Sequence, residues 1–214
     1  MIDSDLQKIL AFTHTLNKVK NIIRFKGMHG WENVPVGRWD SVAEHCFRLG
    51  FLVIMLAPRI KEKVNVERAL KMALVHDLVE IIAEDFNPIF ASNGAGGHAF
   101  NVDAYKEKVD RERAAAKIIF AELPDQEQLE YMSLWEDYAK TKSDPSHASP
   151  EGKFVYALDK IEAAIQIVDW AEHVTEWDYT NKSRAYTTAW SQYDEVVALF
   201  NNMVQDEMDQ KAGR

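Results

Sequence analysis

Apolar residues recur every three or four positions along nearly the whole chain, and no stretch alternates apolar and polar residues long enough to make a half-buried strand. This regularity restricts the fold to packed helices, because a helix buries one face at a period of 3.6 residues and a strand at a period of 2. Composition agrees. Gly and Pro number only 9 and 6 among 214 residues, too few for a turn-punctuated β-sandwich or an unstructured linker. Hydrophobic residues at 47% supply one substantial core, so the expectation is a single all-α domain over 1–214. The spacing predicts about six to seven helices, near 4–24, 41–57, 66–85, 102–122, 125–141, 151–177 and 184–208. Ser41-Val-Ala-Glu44 reads as a capping box and Asn65 as an N-cap, while Pro58 and Pro124 mark stops. Two loops are expected, at 141–150 and at 87–101, the latter with a Gly-rich stretch suited to a lid.

Charge and cysteine content remove several classes of function. Acidic residues outnumber basic ones 34 to 25, a net charge of −9, which disfavours a duplex nucleic-acid partner. The lone Cys46 excludes an intrachain disulfide framework and a Cys-rich zinc finger. The first residues lack a basic stretch followed by an apolar one, and the apolar run at 49–57 is far too short to span a bilayer. The expectation is a cytoplasmic protein with no membrane partner.

Against this background certain polar residues stand out. The segment 69–85 is apolar on almost every side, yet it carries His76, Asp77 and Glu80, groups that are costly to bury unless paired or bound to a metal. In a continuous helix His76 and Glu80 are i,i+4 and Asp77 and Glu80 i,i+3, so all three can project toward one point. His45, near the start of an otherwise apolar helix, and Asp159, within Phe154-Val-Tyr-Ala-Leu-Asp159, are of the same kind. Each alone reads as an ordinary core or helix-end residue. Together two imidazoles and two carboxylates make a mixed N/O set suited to Mn²⁺, Co²⁺, Fe²⁺ or Zn²⁺.

In this order and context the residues resemble the HD superfamily of metal-dependent phosphohydrolases, and most closely its small single-domain 5′-deoxynucleotidase branch. The resemblance runs over about 16–168, on Ser41-Val-Ala-Glu-His45, Leu74-Val-His-Asp-Leu-Val-Glu80 with Asp85, and Lys153-Phe-Val-Tyr-Ala-Leu-Asp159-Lys-Ile-Glu162. It implies a helical bundle of the HD-domain type. His45, His76, Asp77 and Asp159 become the metal ligands and Glu80 the catalytic glutamate. Arg24, expected at the end of the first helix, becomes a phosphate contact, and Asp85 a contact to the sugar. The implied cofactor is one divalent ion, Mn²⁺ or Co²⁺ first, with Fe²⁺, Zn²⁺, Ni²⁺ or Mg²⁺ also compatible. The implied partners are a small phosphorylated substrate, a nucleotide, and a second copy of the chain in a homodimer. The sequence departs from the bacterial pattern at Phe25, where those enzymes carry Trp, at Glu84, where they carry Gly, and along 27–39.

The reading that follows is a phosphohydrolase releasing inorganic phosphate from a 5′-deoxyribonucleoside monophosphate. Alternatives on the same scaffold are a nucleoside triphosphate hydrolase, a di-iron oxygenase with His98 as the nearby extra ligand, and a non-catalytic binding protein. Other features have plainer readings. Arg48 is expected to be a structural ion-pair partner, the aromatic residues Trp170, Trp177, Tyr179, Tyr186, Trp190 and Tyr193 core or dimer packing, and 106–113 a solvated helix face.

Overall fold

A computed structural model describes residues 2–25, 40–85, 88, 97–171 and 177–211. Among these, nine α-helical segments follow in chain order: α1 (Ile2–Leu16), α2 (Val42–Leu56), α3 (Val66–Val75), α4 (Glu80–Ala83), α5 (Val102–Phe120), α6 (Asp125–Ser143), α7 (Pro150–Asp169), α8 (Trp177–Ser191) and α9 (Glu195–Lys211). The expected all-α class holds, and no strand beyond one isolated bridge interrupts it among the described residues. None of these helices is long and apolar enough to cross a membrane.

Local sequence sets the helix starts. Ser41 and Glu44 form the expected capping box at α2, Asn65 accepts from the Arg68 N–H at α3, and Ser149 caps α7 ahead of Pro150. The centre of the molecule is α7, with Phe154, Val155, Leu158, Ile161 and Ala164 fully buried. It packs against α2, α3, α6, α8 and α9, so whatever polar groups α7 carries are surrounded by protein.

Three expectations need correction. The helix expected over 66–85 breaks: after His76 the Leu78, Glu80 and Ile81 amides bond to carbonyls three residues back, so α3 and α4 are separate segments joined by tight turns. Leu74 and Ile82 are exposed, so this stretch is not packed on all sides. The first helix stops at Leu16 and passes through a 3-10 turn, Asn17–Asn21, before Ile23 pairs with Ser41 in the isolated bridge. Arg24 therefore lies in a turn beside Asp40, whose carbonyl accepts its N–H at 2.8 Å, and not on a helix. At the C-terminus α7 ends at Asp169, and the helix expected over 184–208 is two, α8 and α9, which with the α3–α4 break raises the count above six to seven. The Gly-rich stretch at 93–96, His29, His173 and 27–39 lie outside the described residues.

Candidate metal centre and active site

Three helices bring four expected ligands to one place. His45 comes from the first turn of α2, His76 and Asp77 from the break after α3, and Asp159 from mid-α7. One ligand atom each of His45, His76 and Asp159 lies within 4.8 Å of the others. The two Nε2 atoms are 3.4 Å apart. Asp159 Oδ1 is 3.3 Å from His45 Nε2 and 3.9 Å from His76 Nε2, and Asp77 Oδ2 is 3.5 and 3.2 Å from the same atoms. Bonds of about 2.0–2.2 Å to a common ion give edges of roughly this length.

The far side of each imidazole determines its tautomer. His76 Nδ1 is 3.0 Å from the Ala73 carbonyl, which can only accept, and His45 Nδ1 meets the Glu162 carboxylate. Both Nδ1 atoms are thus donors, and both Nε2 lone pairs face inward with the two carboxylate oxygens. Four lone pairs aimed at one point repel one another unless a cation lies between them. Burial and Arg24 oppose charging His45, but Glu162 and Asp159 outweigh them and hold its pKa up to about 9. Burial likewise opposes ionising Asp77, yet the His76 and His45 rings keep its carboxyl well below the usual range. The residues fit a divalent ion.

Glu80 opens α4 beside this cluster and is almost fully buried, and its Oε2 has no hydrogen-bond partner among the described residues. Burial, reinforced by Asp77 and Asp85, pushes its pKa well above the ordinary value. Asp85, just past α4, is also raised, by its own burial first. Arg24 is buried, its NH1 donating to Asp40 Oδ2 at 2.8 Å and to Glu162 Oε2 at 3.0 Å. Backbone strain brackets this side of the site. Phe25, next to Arg24, has φ 61°, and Glu84, next to Asp85, has φ 65° and ψ 153°, a region almost reserved for glycine. The Phe25 ring packs edge-on against Trp170 and lies 5.1 Å from the Arg24 guanidinium carbon.

Several polar groups at the site went unassigned in the sequence. Glu162 is fully buried and binds three cationic or protonated groups at once: His45, Arg24 and the Nε of Arg48 at 2.6 Å. Its pKa falls to about 2, because His45 and Arg24 outweigh its burial. Arg48 is the structural ion-pair partner expected, tying Glu162 to Asp169. On α6, Tyr138 donates to Asp159 Oδ2 and lays its ring against His76 at 4.7 Å. Lys160 also binds Asp159 Oδ2. The segment 106–113 is not a wholly solvated face: Lys108 and Glu112, one turn apart, pair inward, and Glu112 is buried. Tyr186 and Trp190 are core aromatics as expected, packed on Tyr156, while the side chains of Trp177 and Tyr179 lie outside the described residues.

An all-helical chain that gathers two histidines and two aspartates around one candidate cation site, with a buried glutamate beside them, has the architecture of a metal-dependent phosphohydrolase. The HD-domain family model matches residues 16–200, and the chain belongs to that family. The match extends beyond the motif-bearing helices to include α8. Curated relatives include the 5′-deoxynucleotidase HDDC2 of Danio rerio, 33% identical over 168 residues (78% of this chain and 72% of that one). The human protein of the same name is 29% identical over 166 residues, covering 78% and 70%. Among solved structures, one titled as a predicted metal-dependent phosphohydrolase, from Magnetospirillum magnetotacticum, shares the fold with a TM-score of 0.67 at 23% identity over 98% of this chain and 97% of that one.

Proposed function

We propose that this chain, acting as a single HD domain over 1–214, removes phosphate from small nucleotides, with 5′-deoxyribonucleoside monophosphates as the preferred substrates. The observation that carries the reading is the inward convergence of two Nε2 lone pairs and two carboxylate oxygens beside the orphaned Glu80 Oε2. His45, His76, Asp77 and Asp159 would hold the divalent ion, and their mixed N/O character suits Mn²⁺ or Co²⁺. When bound, such an ion acidifies a water and offsets phosphoryl charge. Glu80 accepts the proton of the attacking water, a role that matches its raised pKa and its unpartnered oxygen. The water oxygen bonds to phosphorus, and the nucleoside 5′-oxygen leaves and takes up a proton. Arg24 contacts the phosphate oxygens and Asp85 a hydroxyl of the sugar.

The preference for a deoxyribonucleotide is supported by the relatives, which bear the name 5′-deoxynucleotidase at about 30% identity. The di-iron alternative loses support at His98, which sits among Lys108, Lys142 and Lys160, surroundings that repel a second cation. The protein is proposed to act in the cytoplasm as a homodimer. A phosphate-release screen of 5′-ribo- and 5′-deoxyribonucleotides, with apo protein supplied in turn with Mn²⁺, Co²⁺, Mg²⁺ and Zn²⁺, tests the reading. Deoxy-selective release with Mn²⁺ or Co²⁺ is expected, and metal-loaded protein inactive on every nucleotide would refute it.

A further inference from the structure

The cations near the metal centre fall into two groups. Arg24 and Arg48 are matched by Asp40, Glu162 and Asp169, and Arg24 NH1 is shared between two carboxylates. A divalent ion offsets only half of the charge on Asp77, Glu80, Asp85 and Asp159 when these are ionised. A phosphate dianion arriving there needs further positive charge.

The second group lies on the Asp159–Glu80 flank. Lys160 Nζ donates to Asp159 Oδ2 and, at 3.2 Å, to the Tyr138 hydroxyl. The other Asp159 oxygen is the one aimed at the ligand cluster, so this ammonium stands one carboxylate away from it. Lys108 donates to Glu112, and the charges of Glu80 and Asp77 act on it. An ammonium has three N–H donors. One on Lys160, whose ammonium also stands 4.5 Å from the Tyr156 ring centre, and two on Lys108 therefore make no hydrogen bond among the described residues. Both lysines line a single cavity of about 20 Å³ with His98, Tyr105, Tyr138 and Tyr186, a space the size of one oxygen atom with its hydrogens. Lys142 stands near two of the lining rings, 4.4 Å from the Tyr105 ring centre and 5.4 Å from that of Tyr186. The same lysines act on His98, whose pKa burial first and then Lys108, Lys160 and Lys142 press down to about 2.

We propose that Lys108 and Lys160 form a phosphate clasp, their free N–H groups taking a non-bridging oxygen of the phosphoryl group in the cavity between them. This deepens and rests on the phosphohydrolase reading above, and gives substrate charge to two side chains to which the resemblance assigns no role. In the reaction the clasp faces the phosphoryl oxygens as charge builds on them.

The test is calorimetric titration of inorganic phosphate into manganese-loaded wild type, Lys108→Gln, Lys160→Gln and Lys160→Arg, with bound manganese measured in each. Wild type is expected to bind phosphate, both Gln variants to bind it at least about 10-fold more weakly at unchanged manganese content, and Lys160→Arg to stay near wild type. Phosphate affinity within twofold of wild type in both Gln variants overturns the clasp, as does a wild type that binds no phosphate. Manganese lost from Lys160→Gln makes that lysine a support for Asp159 and overturns its assignment. Phosphate binding that behaves as expected in a protein inactive on deoxynucleotides would refute the substrate and leave the clasp standing.

Discussion

Glu84 is held at φ 65° and ψ 153°, immediately after α4, with its N–H bonded to the Glu80 carbonyl at 3.0 Å. A residue with a Cβ in this region costs about 1–3 kcal/mol, whereas glycine adopts it freely. Glycine also loses more backbone entropy on folding, about 0.5–1 kcal/mol. The Glu84 side chain is exposed, so little packing is lost with it. Glu84→Gly is therefore expected to stabilise the protein by about 1 kcal/mol, which in a chain of this length raises Tm by about 2–4 °C. Glu84→Ala separates the two causes, because it removes the charge and keeps the Cβ. Thermal unfolding followed by circular dichroism should place the alanine variant near wild type and the glycine variant above both. A glycine variant no more stable than wild type refutes the strain argument. So does an alanine variant that gains as much as glycine, since relief of acidic repulsion would then be the cause.

Other perturbations read the site more directly. Glu162→Gln keeps the shape of the hub but removes the charge that orients His45, so metal affinity measured by chelator competition should fall about 10–100-fold. Glu80→Gln should bind metal normally and lose about 10²–10⁴ in turnover, and full activity would remove Glu80 from its role. His76→Ala and Asp77→Ala should lose metal and turnover together, as elemental analysis beside the phosphate-release assay would record. Gly152→Ala places a Cβ 2.9 Å from Thr141 Oγ1 and 3.3 Å from the Asp137 carbonyl where α6 meets α7, so chemical denaturation should report a loss of about 1–3 kcal/mol.

Much of this protein is legible without coordinates, because helices are written locally. The period of apolar residues, the Ser41–Glu44 box and the Asn65 cap depend on neighbours a turn away, and they appear where expected. The expected ligand residues are visible for the same reason: charged groups inside apolar runs imply a compensating partner. What the sequence leaves open is the identity of partners distant along the chain. Glu162 meets residues 117 and 138 positions away, and although it shares the apolar run of Asp159, its own helix does not say which groups it will meet. Lys108 and Glu112 sit in a run of mixed charges in which Lys106, Glu107, Asp110 and Arg111 are exposed, and only the packing of α5 turns this pair inward. The break after His76 is likewise a tertiary outcome, since the run has no proline or glycine to announce it. The sequence by itself determined a helical HD-domain chain with a cation-seeking set of residues. The tertiary structure decided which carboxylates orient the imidazoles, which cations remain free, and where the backbone is strained, because burial and long-range pairing exist only once the helices have packed.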